Sequence, residues 1–256
     1  MRQQAAMLVV GVLLTGVGSA PVRAAAQAPT AEEIATRMVA HDRERQAELD
    51  GYGSQRVYRM EYKGPIGERQ AEMVVRMDFS APDRKHFTVL SESGSTIFCN
   101  QVLRTLMEGE QEGTLEQNHQ RAMLSPANYR LKLVGSEQLD GVNTWVLDVS
   151  PRVESRFNYK GRVWVSMDDY AVVRILGAPA KNPSWLMGSA RFDYRYGRNG
   201  EFWLPQRSVT VSHLRIGGEI TLTVDYGTYQ IAARAGGVPT EAVNTGLRRE
   251  KAATAP

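Results

Sequence analysis

Residues 70 to 79 of this chain alternate between apolar and polar with a period of two. Ala71, Met73, Val75, Met77 and Phe79 take the odd positions, while Gln70, Glu72, Arg76 and Asp78 stand between them. Side chains of a strand point alternately to opposite faces, so this segment predicts a strand with one apolar and one polar face. Segments of the same kind recur almost to the end of the chain. Tyr58, Met60 and Tyr62 alternate with Val57, Arg59 and Glu61, and Trp145, Leu147 and Val149 share a face. So do Phe192, Tyr194 and Tyr196, and then Ile220, Leu222 and Val224. Such a chain must form a large antiparallel sheet, and something must cover its apolar side.

Turn signals separate the strands. They include Gly64-Pro65, Pro82-Asp83, Asp140-Gly141, Asp168-Asp169, Asn199-Gly200 and Gly217-Gly218. About ten strands joined mostly by short turns imply an up-and-down meander, and a sheet that wide curls. Two segments depart from the period of two. Thr30 to Glu33 is a capping box that opens a helix with Ile34, Ala35, Met38 and Val39 on one stripe. Gly51 reads as the glycine that stops it, and the charged stretch His41 to Arg45 reads as its wet side. Between Thr96 and Leu124, Phe98, Val102 and Leu106 are spaced by fours, which is helical spacing. Glu108, Glu110 and Glu112 then read as a solvated helix end. The expected fold is therefore mainly β (α+β). It is a large curled antiparallel sheet forming an open half-barrel of about ten strands, its concave face covered by an N-terminal helix and a helical insertion at about 96–124.

Residues 1–26 read as a cleaved signal peptide. Arg2 is the positive start, Met7 to Gly18 is an uncharged apolar run, and Ala24-Ala25-Ala26 forms the cleavage site. That run is too short for a spanning helix, which needs about 20 residues. The expected location is the periplasm. Residues 27–231 form a single domain in this reading, and residues 232–256, small and polar without periodicity, are expected to be disordered. Cleavage would remove Arg2 and Arg23, leaving 29 of the 31 basic residues against 28 acidic ones. With no basic run, nothing points to nucleic acid. Cys99 is the one cysteine, so no internal disulfide forms, and its Ile97-Phe98 context reads as burial.

The chain carries no G-x-S-x-G, H-E-x-x-H, phosphate loop or C-x-x-C motif. His41, His86, His119 and His213 have no further His or Cys at ligand spacing. No catalytic residue, cofactor or metal site is assigned, and the protein is not expected to be an enzyme. The apolar face itself is the candidate site. Its methionines and aromatics would suit an acyl chain or an apolar peptide segment. The candidate residues are Tyr58, Met60, Tyr62, Met73, Val75, Met77, Phe79, Phe98, Val102, Leu106, Trp145, Leu147, Phe192 and Tyr194.

From about Ala31 to Ile231 the order of short landmarks resembles the outer-membrane lipoprotein-sorting protein family, part of the LolA/RseB-like superfamily of periplasmic half-barrels. The landmarks begin with the helix before the first strand, the Phe79…Pro82 strand end, and the Ile97 to Glu112 helix. Asn128-Tyr129, Gly141…Trp145-Val146-Leu147…Pro151, Gly161-Arg162-Val163-Trp164-Val165 and Trp203-Leu204-Pro205 follow. The resemblance implies an open barrel with helices over its mouth and an apolar cavity between them. Members of that family carry lipid-modified cargo or sense it, so the protein is expected to be a monomeric carrier of acyl chains or lipoproteins, with a membrane protein as a further partner. The resemblance also implies one basic residue in the cavity, to which it assigns no position here. An envelope-stress sensor on the same scaffold is the alternative, and a secreted hydrolase ranks below both.

Overall fold

The structure is a computed structural model, described here for residues 28–182 and 185–234. The expected signal peptide and most of the expected disordered tail lie outside the described residues. The helix α1 spans Ala31–Ala47. Strands β1 (Leu49–Gly64), β2 (Gly67–Ser80) and β3 (Arg84–Gly94) follow. A π-helical turn, Phe98–Leu103, runs into α2 (Arg104–Thr114), and α3 is Glu116–Ala122. The chain then returns to strands: β4 (Tyr129–Leu139), β5 (Val142–Pro151), β6 (Tyr159–Ser166) and β7 (Val172–Pro179). The last four are β8 (Met187–Asn199), β9 (Phe202–Leu214), β10 (Glu219–Tyr226) and β11 (Gln230–Ala233).

All of these strands join one 11-stranded sheet in the order β3-β2-β1-β10-β9-β8-β7-β6-β5-β4, with β11 also paired to β1. Every pairing is antiparallel. The expected meander holds with one exception. After β3 the chain leaves one edge of the sheet, crosses through the helices, and re-enters at the opposite edge as β4. The helical segment is therefore the crossover that ties the two edges together, not merely an interruption between neighbours. β3 and β4 do not pair, so the curled sheet stays open.

The turns form where the residues permit them. Asp140 and Gly141 both adopt positive φ (50° and 84°), which turns β4 tightly into β5. The end of α1 differs from the expectation. The helix stops at Ala47, Glu48 caps it, and Gly51 lies within β1. Gly51 is there for close approach, because a Cβ would stand 2.5 Å from the Phe79 carbonyl oxygen. The start of α1 is as read. Thr30 Oγ1 accepts from the Glu33 amide at 3.2 Å, and the Glu33 carboxylate accepts from the Thr30 amide at 2.8 Å.

Two apolar clusters divide the concave face. Under α1, Ile34 and Met38 pack on Tyr129, Leu147, Val149, Val163, Val165 and Phe192. Under the crossover helices, Cys99, Leu103 and Met107 pack on Tyr58, Met60, Met73, Val75 and Val224. Each large side chain buried in this way contributes on the order of 1.5–3 kcal/mol. Together they hold both helical segments against the sheet.

Candidate functional site

α1 and α2 finish at the same end of the sheet, and both line one cavity there. Between them and the strand ends lies a cavity of about 740 Å³. Leu49, Phe202 and Leu204 form a buried apolar cluster with Tyr52 and Phe79 packed on it, and all five line the cavity. The Tyr52 ring lies tilted against Phe79, centres 5.1 Å apart, and edge-on to Tyr229 at 5.6 Å, which sets the shape of this floor. Tyr229 donates its hydroxyl to the Pro205 carbonyl at 2.7 Å. Tyrosine can pack here because its hydroxyl has a partner.

The walls are polar. α1 contributes Asp42, Arg43, Arg45 and Gln46; α2 and α3 contribute Glu110, Thr114, Glu116 and His119; Lys85 comes from β3. Arg45 donates to the Asp169 carbonyl at 3.0 Å, and Trp203 donates to the Asp169 carboxylate at 2.7 Å. The Asp168-Asp169 turn thus anchors the helix end to β9. Burial pushes the Asp42 carboxyl up, against the pull of Arg45 and His119. The stretch His41 to Arg45 is therefore not simply a wet face. His41 stacks on Tyr170 with ring centres 5.6 Å apart, and Asp42 and Arg45 line the cavity.

Glu110 is also not a solvated helix end. Its carboxylate accepts from Arg56 Nη1 at 2.8 Å and from Lys85 Nζ at 2.9 Å. Arg56 is 1% exposed and lies on the concave side of β1, where its guanidinium stands 4.8 Å from the centre of the Tyr226 ring. Burial would raise the Glu110 carboxyl, but the two cations outweigh it and hold it below the usual carboxylate range. Burial would likewise weaken the Arg56 charge, and Glu110 more than restores it. This half-buried pair fastens α2 to the sheet beside the cavity.

Of the residues the sequence nominated, Phe79 lines this cavity. Tyr58, Met60, Met73 and Val75 are buried beneath the crossover helices, with Phe98 and Val102 packed over the same cluster; Tyr62 is buried with its ring edge-on to Phe98, and Met77 is fully buried. Leu106 is 40% exposed on α2. Leu147 and Phe192 are buried in the cluster under α1, with Trp145 and Tyr194 packed against it. Arg56 was missed, although the signal was present. It sits two residues before Tyr58, in the apolar register of β1, where a charge demands a buried partner. Among the described residues, no group of three or more His, Cys, Asp or Glu is placed to hold a metal. No helix among them is long and apolar enough to cross a membrane.

No protein-family model matches the chain, and no curated protein matches it. Solved structures do. A LolA superfamily protein from Nitrosomonas europaea is similar at 14% identity, over 80% of this chain and 94% of its own, with a TM-score of 0.36. A DUF1329 family protein from Desulfovibrio piger is similar at 13% identity, over 82% and 96%, with a TM-score of 0.40. A domain assigned to outer-membrane lipoprotein sorting from Vibrio parahaemolyticus is similar at 11% identity, over 79% and 94%, with a TM-score of 0.37. The half-barrel description above stands on strand order and register, independently of these neighbours.

Proposed function

We propose that the protein is a soluble periplasmic carrier or receptor that holds an acyl chain, free or as part of a lipoprotein, in the cavity between α1 and α2. The observation that carries this reading is an apolar floor beneath a polar rim, in a space of about 740 Å³. That volume falls within the range of sites for small ligands. The floor of Leu49, Tyr52, Phe79, Phe202 and Leu204 suits hydrocarbon. The rim carries both signs of charge, including Arg43, Lys85, Asp42 and Glu116, and suits a polar headgroup. Each buried CH₂ is worth about 0.8 kcal/mol, so eight of them supply roughly 6 kcal/mol before ordering costs. The resemblance drawn from the sequence points the same way. A membrane protein that delivers or accepts the cargo is the partner this implies, and the protein itself acts as a monomer.

Native mass spectrometry of protein purified from a bacterial periplasm tests the reading. A bound mass in the lipid range, together with uptake of a fluorescent fatty acid by stripped protein, is expected. A ligand-free mass with no uptake contradicts it. In that event, capture of a specific membrane protein, lost on deleting residues 96–124, would assign the scaffold to sensing.

A further inference from the structure

The end of the sheet opposite the cavity carries a different surface. Three neighbouring loops there each raise a large apolar side chain into solvent: Ile66 between β1 and β2 (68% exposed), Ile216 between β9 and β10 (65%) and Trp185 between β7 and β8 (76%). The loops touch one another. A Cβ built on Gly217 would stand 3.1 Å from Pro65 Cγ, and the Arg215 amide donates to the Leu186 carbonyl at 2.8 Å. Ile97 and Val153 extend the same rim at 62% and 78% exposure. The strand register places all five at one end, because Lys63 pairs with Glu219, Met187 with Leu214, Tyr129 with Pro151, and Ala71 with Gly94, three residues before Ile97. Among the described residues, the turns of the opposite end carry no large hydrophobic side chain of comparable exposure. So much apolar surface left in solvent marks a candidate interaction surface, since its burial would be favourable.

Charge accompanies the apolar tips. Lys63, Arg69, Lys181 and Arg215 are exposed around the three loops, against Glu68 and Glu219. The Glu219 carboxylate stands 3.1 Å from His213 Nε2. The loops form a ring of separate tips rather than a groove. A groove fits a folded partner or a peptide, whereas tips carrying Trp and Ile among basic side chains fit the boundary between lipid headgroups and acyl chains. We infer that this rim docks on an anionic bilayer surface, with Trp185, Ile66 and Ile216 inserted at headgroup depth and the basic residues against lipid phosphates. The inference does not depend on the cavity having a ligand.

The test is flotation of the mature chain with vesicles of phosphatidylcholine, alone or mixed equally with phosphatidylglycerol. Binding is expected to the mixed vesicles and to weaken with salt. Changing Ile66, Trp185 and Ile216 together to Ser should weaken it by about tenfold or more, because exposed positions leave the core intact. Gly113→Trp, which places an indole at the mouth of the cavity, should bind vesicles as the parent does. Should the triple variant fail to fold, quenching by bromine-labelled acyl chains gives the answer. It should be strong in the parent and largely lost in Trp185→Phe. No binding by the parent, equal binding to both vesicle types, unchanged binding in the folded triple variant, or unchanged quenching in Trp185→Phe would overturn the inference. An equal loss of binding in Gly113→Trp would transfer it to the cavity and overturn it as well.

Discussion

α2 contains two glycines, Gly109 and Gly113, and a Cβ built on either meets nothing within 4 Å. Gly113 lines the cavity and Gly109 does not. The pair therefore offers a matched perturbation. A Trp at either position replaces a poor helix former with a moderate one, a gain of about 0.5 kcal/mol, less near the frayed end where Gly113 lies. Both variants should melt at or slightly above the parent temperature. Only Gly113→Trp places an indole at the mouth of the cavity of about 740 Å³. If it displaces three or four methylenes of a bound chain, the loss is roughly 2.4–3.2 kcal/mol at about 0.8 kcal/mol each. Affinity should then fall on the order of 50- to 200-fold, since each 1.4 kcal/mol is tenfold. Titration with a fluorescent fatty acid measures it, with Gly109→Trp as the control. Equal affinities in the two variants would show that the chain does not bind between α1 and α2, and the reasoning would fail.

The other predictions concern what holds the helices down. Glu110→Gln removes the charge that Arg56 and Lys85 share. Hydrogen bonds to a charged group are worth about 1.5–3 kcal/mol, so a loss near 2 kcal/mol should expose Cys99, buried at the head of the same helical segment, to thiol reagents about 30-fold faster; an unchanged rate would separate the latch from helix lifting. Acid should act in the same way. The Glu110 carboxyl lies below its ordinary value of 4.5 in the folded chain, so its contribution is complete above that pH and is lost as the pH falls through the lowered value. Asp42 has the opposite sign, because burial raises its carboxyl, so its protonation favours the folded state. Hydrogen exchange at acid pH should therefore rise in α2 before α1, and the reverse order would contradict the assignment. Met73→Ala empties a fully buried position and should cost about 2–5 kcal/mol in a denaturant melt, whereas a cost below 1 kcal/mol would mean a loosely packed cluster.

The sheet was legible because its signal is local. The alternation in β2 reports burial residue by residue, and Ala71, Met73, Val75 and Met77 are indeed the buried ones. The spacing of Phe98 and Val102 likewise reports a face that lies on the sheet. The cavity was not legible in the same way. Its lining comes from the ends of α1, α2 and α3 and from strand termini. These meet only because the chain crosses from β3 at one edge to β4 at the other. Nothing in a short window encodes that crossing. The central apolar positions, which carry the clearest pattern, are those the helices cover, and Phe79 reaches the cavity because it stands near a strand end. Charged residues were misjudged for a related reason. Glu110 resembles its exposed neighbour Glu108 in sequence, and only the register of β1 places Arg56 beneath it. Gly51 resembles a helix stop until the pairing with β2 shows the Phe79 carbonyl pressed against it.

The claim on which this account depends is that hydrocarbon occupies the space between the two helix ends. Crystals grown with a fatty acid brominated near its methyl end would locate that end by anomalous scattering. The account predicts one bromine peak above the floor formed by Phe79, Phe202 and Leu204. A peak on the convex face or at the opposite rim, or no peak at saturating ligand, would contradict it.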